Sequence, residues 1–194
     1  MGRKKTYDRA EVLEKAMALF WQLGYEGAHL SKLVEITGLN RFGLYKEFNG
    51  KMGLFEEALE LYLARAKIHY DNCLKKDLSG LEAIETYFKS ITYDPEYHGC
   101  FMINSMIERN LISENGFQQV MDLKEYIRVL FMQNIEIGQR NAEISTQTEP
   151  EIIADHLLSL DQGLSIFGIG SPDNERLQKI IAFNMDQLKA KGPT

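Results

Sequence analysis

The chain has 194 residues, of which 44% are hydrophobic and 26% charged, and its net charge is −6. These proportions exclude a disordered chain, a collagen-like repeat and a disulfide-stapled mini-protein, and the length suits one or two domains with a real core. Acidity by itself also argues against nucleic acid, whose phosphates demand Lys and Arg. The charge is uneven, however. Residues 1–55 hold nine Lys/Arg against six Asp/Glu, whereas residues 56–194 hold thirteen against twenty-two. A basic head on an acidic body implies two separate jobs.

Apolar residues recur at three- and four-residue spacing along most of the chain, and alternating strand-like patterns are missing, which predicts an all-α fold. A first helix starts at Asp8 as N-cap, with Glu11 in capping-box position and Gly24 as the stop. Its inward face is Val12, Leu13, Ala16, Met17, Leu19, Phe20 and Leu23. A short second helix covers Leu30–Thr37 with Leu30, Leu33 and Val34 inward, and Gly38 breaks it. A third covers Arg41–Phe48 with Leu44 and Phe48 inward, and Asn49-Gly50 turns the chain. A long fourth helix follows, 51–74, crossing the change in composition. Later helices are predicted at 80–91, 99–111, 117–141, 150–169 and 173–189, with a polar loop at 141–150. The four prolines all punctuate helices.

Two short helices joined by Gly38-Leu39-Asn40 follow the helix-turn-helix plan, whose second helix enters the major groove of DNA. With Leu44 and Phe48 turned inward, Arg41, Phe42, Tyr45 and Lys46 face out: two cations, two aromatics and no acid. The segment from Ala16-Met-Ala-Leu-Phe20 and Gly24-Tyr25 on the first helix, through Gly38, Leu44-Tyr45 and Phe48, to Lys51-Met-Gly-Leu54-Phe55 resembles the DNA-binding domain of the TetR family of transcriptional regulators. The resemblance implies an N-terminal three-helix domain, residues 1–50, joined by a long helix to a helical ligand-binding and dimerisation domain, residues 51–194. It further implies a repressor that releases its operator, a double-stranded and palindromic site, on binding a small-molecule inducer.

Carried over by position, Tyr45 offers its hydroxyl to a phosphate, Lys51 contacts the backbone with the fourth helix's amides, and Arg41 reads a guanine edge. Lys46 reaches a base or a phosphate, and Arg3, Lys4 and Lys5 follow the backbone or the minor groove. Two positions depart from the family pattern. His29 stands where Thr or Ser usually caps the second helix, so the phosphate contact there falls to the imidazole or is lost. Phe42 stands where small residues are common, and either presses on a thymine methyl or packs on its own helix.

In the body, Tyr62, His69, Phe88, Cys100, Phe101, Met102, Met106, Tyr126 and Met132 are the candidates for an inducer pocket, because apolar walls with few polar groups suit small molecules. The stretch His98-Gly99-Cys100-Phe101-Met102-Ile103-Asn104 resembles the sixth-helix motif of one branch of the family. Cys100 is either a small buried hydrophobe or a thiol sensing oxidants or electrophiles, placed near a helix start with His98 two residues away. Ile153, Leu157, Leu160, Leu164 and Phe167, with Leu177, Ile181, Met185 and Leu188, make two strongly apolar helices that predict a four-helix homodimer interface. Cys73 and Cys100 match no metal-ligand spacing, and the four histidines are scattered, so neither metal, cofactor nor enzyme chemistry is expected. No signal peptide or membrane span is visible; the longest apolar run is broken by Asp161 and Gln162. A cytoplasmic protein is expected. A helical interaction module without specific DNA binding is the competing reading.

Overall fold

The computed structural model describes residues 7–75 and 78–190, and among these it has nine helices and no strand. They are α1 (Arg9–Gly27), α2 (Leu30–Thr37), α3 (Arg41–Phe48), α4 (Gly50–Leu74), α5 (Gly80–Ser90), α6 (Phe101–Ile107), α7 (Glu114–Arg140), α8 (Pro150–Phe167) and α9 (Asn174–Leu188). No helix among the described residues is long and apolar enough to cross a membrane. Two compact units form. One comprises the chain up to Arg65 with Cys100–Met121, the other Ala66–Gly99 with the chain from Asp122.

In the first unit, α1 to α3, the first half of α4 and α6 close on an aromatic core. Phe20 and Phe55 meet edge-on at 5.1 Å between centroids, and Phe55 meets Phe101 at 5.6 Å. Val12, Ala16, Leu33, Leu44 and Phe48 bury the expected inward faces of the three small helices. The N-terminus of α1 is capped by Asp8, but its carboxylate takes the Ala10 amide at 2.9 Å. Glu11 does not reach back to close a box; it pairs with Lys15 one turn on. Gly24 interrupts α1 at φ +72°, and a further turn runs to Gly27. That turn is held from α6: the Glu108 carboxylate accepts from the Tyr25 amide at 2.7 Å and the Glu26 amide at 3.4 Å.

The second unit packs Phe88, Ile84, Phe131, Ile127, Leu157 and Leu177 at 2 % exposure or less. Within it lies a buried carboxylate. Asp161, on the α8 face turned inward, accepts from the Tyr87 hydroxyl at 2.5 Å and the Tyr70 hydroxyl at 2.9 Å. Tyr70 and Tyr87 stack at 4.8 Å, and Tyr87 meets Phe131 edge-on.

Candidate nucleic-acid interface

The angle between α2 and α3 is set by three residues. Gly38 ends α2 in the left-handed conformation at φ +71°, a region an L side chain enters only with strain. Leu39 is buried beneath the turn. Asn40 caps α3, its side-chain oxygen accepting from the Gly43 amide at 2.8 Å. Thr37 braces the same corner, donating to Leu33 O at 2.5 Å and accepting from the Leu39 amide. With the corner locked and Leu44 and Phe48 committed to the core, the exposed side chains of α3 are Arg41, Phe42, Tyr45 and Lys46, as the spacing predicts; Glu47 is half-buried.

The supporting shell is also defined. The Tyr45 ring lies over Gly50, the first residue of α4, where an added Cβ would stand 3.0 Å from it. Lys51 is half-buried beside it, its ammonium 4.4 Å from the Tyr25 ring centroid and 3.4 Å from Glu26 O. Burial lowers the Lys51 pKa, and the carboxylates of Glu108 and Glu26 partly offset this. The Arg9 guanidinium covers the Phe48 ring at 4.8 Å and pairs with Glu57, fixing α3 against α1 and α4. His29 stands exposed at the N-cap of α2 but its side chain makes no capping hydrogen bond. Arg3, Lys4 and Lys5 lie outside the described residues.

Residues 12–58 match the family model described as bacterial regulatory proteins, tetR family. The chain is 33% identical to the HTH-type transcriptional repressor ComR of Escherichia coli strain K12 over 92% of its length and 88% of ComR's. The chain belongs to the TetR family. It is 28% identical to the transcriptional repressor AcnR of Corynebacterium glutamicum, over 87% of this chain and 89% of that one. Among solved structures it is similar to a cysteine mutant of the TetR family regulator CifR complexed with 26-bp double-strand operator DNA. That match has 25% identity and a TM-score of 0.79, covering 95% of this chain and 98% of CifR. The chain is a TetR-family DNA-binding transcriptional regulator, and its relatives are regulators as well.

The residues predicted to line an inducer pocket are divided between the two units. Tyr62, Cys100, Phe101, Met102 and Met106 fall in the first unit, His69, Phe88, Tyr126 and Met132 in the second. Phe88, Phe101 and Met102 are at 2 % exposure or less and serve the cores. Tyr62 donates to Cys100 Sγ at 3.3 Å and meets the Phe101 ring at 5.5 Å. His69 is exposed, with Nε2 3.1 Å from Ser90 Oγ. The Tyr126 ring sits beneath the Lys67 and Lys75 ammoniums at 4.0 and 5.1 Å, its hydroxyl donating to Asp71.

Most of the residues expected at a dimer surface are enclosed within their own chain. Ile153, Leu157, Leu164, Leu177, Ile181, Met185 and Leu188 are all at 7 % exposure or less within the protomer. Side chains already enclosed by their own chain have little surface to offer a partner. Leu160 is half-buried, and of the predicted set only Phe167 is exposed. The exposed large apolar residues on these helices are Ile152, Ile166, Phe167 and Phe183. Periodicity identifies an apolar stripe on each helix and does not say which flank faces inward. Sequence reasoning also misses the Asp161–Tyr70–Tyr87 cluster, although its signal is present: Asp161 is the charge that breaks the longest apolar run.

Proposed function

We propose that this protein is a homodimeric TetR-family repressor that reads a palindromic operator through α3 and is released by a small-molecule inducer bound in its body. The exposed Arg41, Phe42, Tyr45 and Lys46 carry the reading, because Leu44 and Phe48 are committed to the core and Gly43 and Glu47 are half-buried. Arg41 pairs its fork with guanine O6 and N7, while Tyr45 and Lys51 hold phosphates. The exposed Ile152, Ile166, Phe167 and Phe183 support a two-fold partner surface on α8 and α9. A dimer delivers two recognition helices to successive major grooves, about 34 Å apart. Inducer and operator then oppose one another through a single coupling free energy, about 1–3 kcal/mol in such systems.

The test is a mobility-shift titration with the DNA flanking the protein's own gene. Lys51→Ala should weaken binding to every sequence and lower the salt slope by about one for each phosphate left unneutralised, whereas Arg41→Ala should relax preference at one base pair per half-site. No specific shift at low salt refutes the proposal in favour of a helical interaction module. A second reading of the effector rests on Cys100: the thiol is half-buried at the N-cap of α6 with the Tyr62 hydroxyl aimed at its sulfur. If it is an electrophile sensor, Cys100→Ser abolishes release by electrophiles and leaves operator affinity unchanged.

A further inference from the structure

Phe42 is the most exposed large apolar side chain among the described residues, at 77 %. The chain therefore does not cover its ring, which removes the self-packing alternative. Its position is not a consequence of a loose helix end. Asn40 caps α3 through the Gly43 amide at 2.8 Å, and Gly43 itself lies so close to Leu39 that an added Cβ would stand 2.8 Å from a Leu39 methyl. The first turn of α3 is thus seated firmly on the buried Leu39, and Phe42 is held outward, next to Arg41 and one turn before Tyr45, itself 58 % exposed.

A phenyl ring gains only where it meets apolar surface. In the major groove the base edges present hydrogen-bond donors and acceptors, which a phenyl ring cannot satisfy, and one apolar group, the C5-methyl of thymine. We propose that Phe42 reads a thymine through that methyl and is a specificity-determining residue of the operator contact. The inference rests on α3 being the recognition helix. It adds an A·T preference beside the guanine contact of Arg41. By the same chemistry the position accepts 5-methylcytosine, which carries its methyl at the same ring carbon.

The test removes one methyl group at a time. The full-length protein selects its site from a random duplex library, and the selected duplex is resynthesised with deoxyuridine in place of each thymidine in turn. Wild type should lose about fourfold in affinity at one thymine per half-site, the value of one buried methyl at about 0.8 kcal/mol. Phe42→Ala should bind the thymidine and deoxyuridine duplexes equally, whereas Arg41→Ala should keep the fourfold ratio. At the same position, C5-methylation of a cytosine should strengthen wild-type binding and leave Phe42→Ala unchanged. Tolerance of deoxyuridine at every position by wild type, or retention of the ratio by Phe42→Ala, overturns the inference. A phenyl used as a minor-groove wedge or for a protein partner would give that tolerance. Selection that yields no sequence preference overturns the DNA-binding proposal itself and this inference with it.

Discussion

Removing the two hydroxyls that serve Asp161 should expose how the second unit's core is balanced. Asp161, Tyr70 and Tyr87 are at 4 %, 8 % and 3 % exposure, so water is not at hand to replace a missing partner. Each carboxylate oxygen accepts one hydroxyl, Oδ1 from Tyr87 and Oδ2 from Tyr70. A hydrogen bond to a charged acceptor is worth about 1.5–3 kcal/mol. Tyr87→Phe deletes one oxygen and keeps the ring stack, so it should cost about that amount, and Tyr70→Phe/Tyr87→Phe about 3–6 kcal/mol. The decisive variant is Asp161→Leu. In the wild-type background it strands two buried hydroxyls and destabilises; in the double-Phe background it removes a buried, unpartnered charge and stabilises. Urea-unfolding midpoints at constant slope measure both. The sign reversal is the prediction, and Asp161→Leu acting in the same direction in both backgrounds would refute the reasoning. Acidity supplies a second axis. Burial pushes the Asp161 carboxyl above its ordinary 3.8, with the Tyr87 and Tyr70 hydroxyls partly offsetting it. The folded state then holds a proton that the unfolded chain has released, so this group's contribution falls as pH rises above about 4. Deleting the hydroxyls widens that window, and the double-Phe penalty should grow from about pH 4 toward neutrality.

Asp71 should behave in the opposite sense. Burial raises its carboxyl, but the Tyr126 hydroxyl and the Lys67 and Lys75 ammoniums outweigh it and hold the pKa at about 2. A depressed folded-state value gives stability that is present above pH 3.8 and disappears as pH falls toward about 2. Asp71→Asn should flatten the acid limb of the stability curve in that window and leave the neutral range less affected; an unchanged acid limb would show that the cluster is not coupled to folding. Two positive-φ glycines of the head make a contrasting pair. At Gly38 an added Cβ meets nothing within 4 Å, so Gly38→Ala should cost only the left-handed backbone penalty, about 1–2 kcal/mol. Gly24, at φ 72° and ψ 176°, lies in a region that essentially only glycine adopts, and its added Cβ would stand 2.6 Å from a Glu108 carboxylate oxygen, so Gly24→Ala carries a larger backbone penalty and also displaces the clamp on the Tyr25 amide. Thermal unfolding should rank Gly24→Ala below Gly38→Ala; the reverse order would refute both the backbone and the clamp arguments at Gly24.

The parts of the fold that are legible in the sequence are those decided locally. The spans of α2 and α3 follow from Gly38, Asn40 and Asn49, residues that stop or cap a helix wherever they stand. α6 is shorter than its apolar pattern predicts, Phe101–Ile107 and not 99–111: Gly99 at φ +83° precedes it, and at its far end the Glu108 side chain serves the backbone amides of Tyr25 and Glu26, more than eighty positions earlier. No local pattern encodes that contact. α7 starts three residues before the predicted Phe117; Ser113 accepts from the Gly116 amide at 3.0 Å, a capping signal that the sequence does carry. The outward set on α3 is deducible because two inward residues suffice to orient an eight-residue helix. The flanks of α8 and α9 are not, because both carry apolar residues on several sides, and burial depends on neighbours distant in sequence.

The chain's acidity has a definite place in the DNA reading. Net charge is −6, yet the exposed residues of α3 include two cations and no acid. Each phosphate neutralised contributes about 0.9 to the salt slope and nothing to sequence preference. Residues 1–55 hold nine Lys/Arg against six Asp/Glu and the rest of the chain is acidic, so sequence-independent affinity is confined to that segment. On the proposed reading discrimination comes from groups that touch base edges, and α3 exposes two candidates of different chemistry side by side, the Arg41 fork and the Phe42 ring. On that reading the two kinds of contact separate experimentally: Lys51→Ala should lower the salt slope and leave base preference unchanged, whereas removing one operator methyl should change preference and leave the salt slope unchanged.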